Sequence, residues 1–451
     1  MPNPSAFSDM ADLTSLAEAA LDAARAAGAD AADTVVAAGS STAVTLRNGV
    51  TEEVERSEGS DIGLRVFVGA RSALVGVGHV RDLADAAARA VAMAKAAPED
   101  DTVALAPVDL LARPPFPDLD LDDGEEPDAD ALTTRARAME EAMLDVAGVT
   151  NSNGVSAGAR RAERVFATST GFLGAYSATF HRQSATAIAG DGTRMERDSW
   201  SSVKRHLAEL AAPEEIGRIA GERTVRRLDA QQLTTRKCAV VFEPRAASGF
   251  VGHLLGAVNG SAVARGASIL AGKLGTKVMP EAITIRDDPT VPRGLASRPF
   301  DGEGLAAEPI DIVAGGTLAS YILDLSTARR IGATSNGRAS RGTGLPSPSS
   351  TNVSISGGSG DLQSLIEEAG SGVLVTDLIG MGANIVNGNY SRGAAGFWFE
   401  NGEIAYPVAE ITVAGSLVDM FAAARFADDA PGFSSVDAPS IAIAGMTIGG
   451  R

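Results

Sequence analysis

The stretch Gly388-Asn389-Tyr390-Ser391-Arg392-Gly393-Ala394-Ala395-Gly396-Phe397-Trp398, continued by Glu400-Asn401-Gly402-Glu403-Ile404, decides how the second half of the chain folds. Glycines at this density let backbones approach one another and take turn conformations closed to other residues. A strand is predicted over Gly396 to Glu400, a return strand over Glu403 to Ala405 and another over Glu410 to Val413. Upstream, Arg236 to Phe242, Ala282 to Arg286, Ile310 to Val313, Leu318 to Leu323, Val353 to Ser356 and Gly372 to Leu378 read as further short strands. Short strands at steady spacing predict a barrel or a sandwich. Only Pro244 to Val258, Leu362 to Glu368 and Leu417 to Arg425 read as helices here.

Glycine use divides the chain. Residues 1–235 hold 18 of the 50 glycines and residues 236–451 hold 32. Helices tolerate glycine poorly and turns use it. The fold class is therefore α+β: an N-terminal mixed α/β domain over 1–235, then a β-rich, barrel- or sandwich-like C-terminal domain over 236–451.

Residues 1–100 form a module of helix, strands and helix. Ser8 or Asp9 can cap a first helix striped by Leu13, Leu16, Ala20 and Leu21, with Gly28 at its C-terminal cap. Strands are predicted over Asp33 to Ala38 and Ala43 to Arg47, then a hairpin turn at Asn48-Gly49 and a return over Val50 to Arg56. A second hairpin turns around Gly69-Ala70-Arg71, and a helix spans Leu83 to Ala96. Residues 98–130 read as an acidic linker with eight Asp and Glu between Asp118 and Asp130, a solvated and partly disordered loop or a dock for a basic partner. A second α/β part over 131–235 holds helices near Ala129 to Val146 and Pro213 to Leu228, and strands near Ala162 to Ser169 and Gly174 to Ser184.

Composition excludes several functions. One Cys forms no internal disulfide, and four His with one Cys leave few ligands for zinc. A net charge of −18 opposes nucleic-acid binding. The first residues carry no secretion signal, and no run of about 18 apolar residues occurs, so a cytoplasmic protein without a membrane span is expected.

Catalytic motifs are mostly missing. None of His79, His181, His206 or His253 is followed by Glu, so His-Glu-x-x-His is absent. No Gly-x-Ser-x-Gly elbow or phosphate loop occurs. Cys238 lies inside a predicted strand, as a buried inert thiol does, and His253 sits among Phe250, Val251, Leu254 and Leu255 as a packed or capping histidine does. The carboxylate pairs Asp287-Asp288 and Asp301-Gly302-Glu303 lie in turn chemistry, where such groups cap turns or do acid–base work.

The ordered set Phe300-Asp301-Gly302-Glu303-Gly304, Gly380-Met381-Gly382, the 388–398 run, Tyr406-Pro407-Val408 and Glu410-Ile411-Thr412-Val413-Ala414-Gly415 resembles the TldD/PmbA family, also called the modulator of DNA gyrase family. The likeness is to its PmbA (TldE) branch. TldD-like chains of that family carry His-Glu-x-x-x-His on a helix, and those His with a distant Cys resemble a zinc protease site. The matching segment here, Ala247 to Gly256, has only His253, and no Cys follows Cys238. The resemblance thus implies a non-catalytic subunit of a metalloprotease acting on small unfolded peptides, in peptide maturation or antitoxin turnover. It implies no metal and no cofactor in this chain and zinc in a TldD-like partner, and it leaves a homodimer open where that partner is absent. His253, Asn389, Tyr390, Ser391, Arg392 and Gly393 are the candidate peptide-cleft residues. Arg392 either binds a carboxylate or pairs with Asp301 or Glu303 to hold two turns together. The alternatives are a stand-alone hydrolase with a non-zinc site at Asp301, Glu303 and Arg392, and a homodimeric peptide-binding scaffold.

Overall fold

A computed structural model describes residues 10–78 and 80–450. The expected cap at Ser8 or Asp9 and residue His79 lie outside the described residues. The first domain is built from α1 (Met10–Ala26), β1 (Ala31–Arg47), β2 (Val50–Val68), β3 (Arg71–Val77), α2 (Leu83–Ala96), α3 (Ala129–Leu144), β4 (Val149–Thr168), β5 (Leu173–Ala189), β6 (Glu196–Lys204) and α4 (Pro213–Val225). The six strands make one antiparallel sheet in the order β3-β2-β1-β4-β5-β6.

Alternation along β1 sorts the two faces of this sheet. Val36, Val44 and Leu46 pack under the helices: α1 and α2 cover one end, α3 and α4 the other. Val35 points the other way, with Phe166, Phe172, Phe300 and Leu305, toward the second domain. Asn48 and Gly49 both take positive φ, the backbone a two-residue hairpin needs. The buried carboxylate of Glu140 on α3 accepts both of their N–H groups, at 2.9 and 2.7 Å, and so pins the turn.

The strands run longer than their sequence pattern indicates. β1 is continuous through Gly39-Ser40-Ser41, and β4 begins at Val149, thirteen residues before Ala162. The acidic stretch is a second correction. Leu119 and Leu121 are buried, Asp122 pairs with Arg161 at 3.0 Å, and Asp120 pairs with Arg293 at 2.6 Å. Asp123 accepts from the Leu207 N–H at 2.7 Å and meets His181. Burial works against its charge, yet the N–H groups of Leu207 and Glu125, with His181, hold its carboxyl down at about 2. The segment is a strap fastened by local cations, because acidic side chains with paired partners lose their mutual repulsion.

The second domain opens with β7 (Arg236–Phe242), α5 (Pro244–Ala257), α6 (Gly260–Ala264), β8 (Thr284–Asp288), β9 (Ile310–Ala314), β10 (Thr317–Leu318), α7 (Leu325–Arg330), β11 (Ala339–Ser340), β12 (Ser347–Pro348) and β13 (Asn352–Ser356). It continues with α8 (Leu362–Ala369), β14 (Gly372–Ile379), β15 (Asn389–Glu400), β16 (Glu403–Ser416), α9 (Leu417–Ala423), β17 (Arg425–Phe426), β18 (Val436–Asp437) and β19 (Ile441–Gly449). Strands β16, β15, β14, β7 and β19 lie side by side, and pairing of β16 with β19 closes them into a five-stranded barrel. A smaller sheet, β10-β9-β8-β13-β18, packs on the same core, and α5 contributes Phe250, Val251 and Leu254 to it.

The domains meet over a buried ionic cluster. Asp33 on β1 and Arg65, its cross-strand neighbour on β2, lie 2.5 Å apart, and Arg341 from the second domain reaches the same carboxylate at 2.8 Å. Gly63 lets the chain at Thr343 dock here: a Cβ on residue 63 would sit 2.1 Å from the Thr343 carbonyl oxygen. Asp33→Ala would leave two arginines buried without their shared anion. The expected loss is about 3–5 kcal/mol in denaturant unfolding, and a loss under about 1 kcal/mol would contradict this account of the joint.

Candidate functional site

Helix α5 starts directly after barrel strand β7, with Pro244 in its first turn, where a missing N–H costs nothing. One face is fully buried by Ala247, Phe250, Val251 and Leu254. The opposite face carries Gly249, Gly252, His253 and Gly256, at the i, i+3, i+4, i+7 spacing of a single stripe. Gly252 is exposed and a Cβ there would meet nothing within 4 Å, whereas Gly249 and Gly256 are half-buried beside Arg392 and Ile385.

Strand β15 supplies the facing wall. Its period of two splits the candidate set: Tyr390 is buried and Arg392 half-buried, while Asn389 and Ser391 are exposed. His253, Tyr390 and Arg392 come together. The rings of His253 and Tyr390 sit 5.8 Å apart, edge to face, and a Cβ on Gly249 would lie 3.6 Å from Arg392 Nη1. Arg392 Nη2 donates to the Leu378 carbonyl at 3.2 Å. Two nitrogens here, His253 Nε2 and Arg392 Nε, are buried without a partner. Gly393 packs against Ile379 at the wall's edge.

The loop 380–388 roofs this cleft. The Ser391 N–H donates to the Gly382 carbonyl at 2.7 Å, and the Ile269 N–H to the Ile385 carbonyl at 2.8 Å. Gly382 must be glycine, since a Cβ there would fall 1.6 Å from the Ser391 carbonyl oxygen. The outer rim is apolar: Ile379, Met381 and Val386 are exposed, Met381 completely.

Electrostatics make the cleft neutral to positive. Burial, and then the Arg392 charge, hold the His253 imidazole below its ordinary value, so it is uncharged at neutral pH. Burial pushes the Tyr390 hydroxyl up to about 12. The donor set does not suit zinc: it offers one imidazole, and the adjacent guanidinium repels a cation. Cys238 is on β7, half-buried, with its thiol pushed up by burial. Among the described residues, no three His, Cys, Asp or Glu side chains gather as a metal-binding group.

Asp301 and Glu303 lie elsewhere, at the domain joint. Asp301 accepts from the N–H groups of Glu303, Leu305 and Ala339 at 2.8, 2.9 and 3.1 Å, and Glu303 accepts from the Leu325 N–H at 2.8 Å. No ion pair or hydrogen bond joins either to Arg392 among the described residues, which corrects the expected pairing. Their cations are different ones: the Arg298 charge acts on Asp301 and that of Arg65 on Glu303. Sequence order hid this, since it cannot tell which of several distant arginines folds over a turn. Trp398 is core, with Arg236 5.1 Å over its ring.

The chain matches three family models, described as PmbA/TldA metallopeptidase domain 1 over residues 32–94, central domain over 122–228 and C-terminal domain over 235–450. The metalloprotease PmbA of Escherichia coli O157:H7 is 35% identical, over 94% of this chain and 93% of the relative. A PmbA homolog of Haemophilus influenzae is also 35% identical, over 96% and 95%. A crystal structure of a Bacteroides thetaiotaomicron protein, named for a proposed role as modulator of DNA gyrase, superposes with a TM-score of 0.89 at 26% identity over 97% of this chain and 98% of that one. The fold is shared with TldE from Thermococcus kodakarensis, TM-score 0.85 at 22% identity over 96% and 100%.

Two measurements check these electrostatics. Burial, with the Asp301 charge, raises the Glu303 carboxyl to about 8 from an ordinary 4.5, so the folded state keeps a proton that the unfolded chain releases. Stability therefore falls as pH rises from about 4.5 to about 8. Glu303→Gln keeps an acceptor for Leu325 and should flatten that slope in denaturant titrations at pH 5 and pH 8; an unchanged slope would refute the assignment. Arg392→Gln should raise the His253 titration midpoint in NMR spectra yet leave it below an exposed histidine, because burial remains.

Proposed function

The chain belongs to the PmbA/TldD metallopeptidase family, and we propose that within it this chain is a TldE-like, non-catalytic subunit that works with a TldD-like partner. The observation that carries this is the face of α5. In TldD-like chains the matching helix bears His-Glu-x-x-x-His; here its outer side bears Gly249, Gly252, a single neutral His253 and Gly256, with Arg392 beside them. With one imidazole and three glycines on its outer side, α5 offers a floor and not a metal pocket. A floor without side chains admits an extended peptide backbone, and β15 and the 380–388 loop wall it in.

The partner would close the cleft from outside. Ile379, Met381 and Val386 stand exposed on its rim, and exposed apolar side chains clustered at a cleft mark a contact surface. Zinc and the hydrolytic water belong to the partner; this chain would contribute wall, floor and exclusion of folded proteins. Small unfolded peptides are the substrate class that such a closed cleft selects. The stand-alone hydrolase has no support in the geometry, because Asp301, Glu303 and Arg392 are not brought together.

The deciding experiment purifies this chain alone and with a partner carrying His-Glu-x-x-x-His. The expected result is no bound zinc and no peptidase activity alone, and zinc with activity in the pair. Met381→Glu should weaken the pairing about tenfold or more, since it desolvates a charge at the contact. Stoichiometric zinc with robust peptidase activity from this chain alone would overturn the proposal.

A further inference from the structure

The face of the long sheet that looks toward the second domain holds a cavity of about 610 Å³, well within the range of ligand sites. Its floor is a row of small residues in cross-strand register: Gly59 on β2, Gly39 on β1, Ala162 on β4 and Ala178 on β5. Four strands at about 4.8 Å spacing make this row roughly 14 Å long, the length of about four residues of extended chain. The row is a trough because its neighbours are larger. Asp61, Ala37, Arg164 and Tyr176 form the row on one side, and Arg160 and Phe180 stand on the other. Glycine inside a strand has no side chain to pack, and it commonly marks close approach by another backbone or a ligand.

The second observation is charge. Four arginines line the cavity, Arg160, Arg164, Arg205 and Arg298, and none of them forms an ion pair among the described residues. Arg205 is buried, lies 3.8 Å over the Phe180 ring, and donates only to the carbonyls of Gly294, Thr179 and Leu295. Burial pulls its guanidinium down to about 10, the signature of a cation with no anion beside it. Arg298 keeps Nε and Nη2 buried and unpartnered. The Asp301 charge acts on Arg298, but that carboxylate is already engaged by three backbone N–H groups. Glu163, also in the lining, is committed to Arg161 at 3.2 Å. A buried donor without an acceptor is costly, and an anionic ligand would satisfy it.

The trough is polarised. The arginines gather at the β4 and β5 end, whereas Asp61 lies at the β2 end with no cation paired to it among the described residues. One end favours an anion and the other a cation, separated by the span of a few extended residues. We propose that this trough binds a short extended peptide, its C-terminal carboxylate held by Arg164, Arg205 and Arg298 and its amino end toward Asp61. None of the α5 cleft residues lines it, so the proposal is independent of the subunit role.

The test is calorimetry on the full chain with three probes: tetra-alanine as the free acid, tetra-alanine amide, and inorganic phosphate. The free acid should bind at one equivalent, and the amide about tenfold more weakly or worse, because it offers no carboxylate to the forks. Arg164→Gln should weaken the free acid about tenfold with an unchanged melting temperature, since the Arg164 side chain has no hydrogen-bond or ion-pair partner among the described residues. Ala162→Leu should block binding by filling the floor while leaving every arginine in place. Equal binding of acid and amide, or no binding of the acid at millimolar concentration in a folded protein, would overturn the proposal. Binding of phosphate that the free acid does not displace would overturn it too, in favour of a phosphate site.

Discussion

The molecule depends on one buried carboxylate. Asp33 is fully enclosed between Arg65 of its own sheet and Arg341 of the barrel domain. Charges removed from water are tolerated only when paired, and breaking such a set leaves an uncompensated ion. The two domains are therefore held at one relation, with the 339–344 segment lying along β2 at Gly63. Around this joint the phenyl rings of Phe116, Phe166, Phe172 and Phe300 pack at 5.1 to 5.9 Å and seal it from solvent. At the far end a second network ties α4 and β6 to α5 and β14: Arg223 meets Glu243 at 2.6 Å and Arg245 meets Asp198 at 2.8 Å. With both ends fastened, the sheet face between them stays open, and the trough is what remains.

The two candidate sites differ in their physics. The α5 cleft is smooth, uncharged apart from Arg392, and rimmed by exposed apolar side chains, which suits a backbone enclosed by another protein. The trough is polar and charged at its ends, which suits recognition of chain termini. In the cleft the guanidinium of Arg392 occupies space beside the single imidazole and makes the position hostile to a metal ion.

Much of the local structure was legible. Asn48-Gly49 forms its hairpin, Leu83 to Ala96 is a helix, and Arg236 to Phe242 is a barrel strand, because each rests on turn chemistry or periodicity within a few residues. The long strands were read as fragments at Gly39-Ser40-Ser41 and before Ala162. Residues of weak strand propensity are carried there by neighbours on both sides, and at Gly39 the β4 backbone comes so close that a Cβ would lie 2.6 Å from the Arg161 carbonyl oxygen. Helices α6 and α7 were missed because five and six residues hold too little pattern, although Asp324 and Thr327 form a capping box. The acidic strap was misread because its arginine and histidine partners, Arg161, His181 and Arg293, lie far along the chain.

By itself the sequence determined the fold class, the family resemblance and the absence of the paired histidines. These follow from residue identity and spacing, which are local. Only the tertiary structure decided which arginine meets which carboxylate. Arg392 had been a candidate partner for Asp301 and Glu303, yet domain docking buries Glu303 against the Leu325 N–H at the joint and leaves Arg392 beside His253. The trough, too, exists only in the folded state. Gly59, Gly39, Ala162 and Ala178 come from four strands and align through register; Arg160 and Arg164 share β4 with Ala162, and Arg205 and Arg298 arrive from two further segments. Register and docking are set by burial of the whole sheet and by the ionic joint at Asp33, and neither is written in any short stretch of the chain.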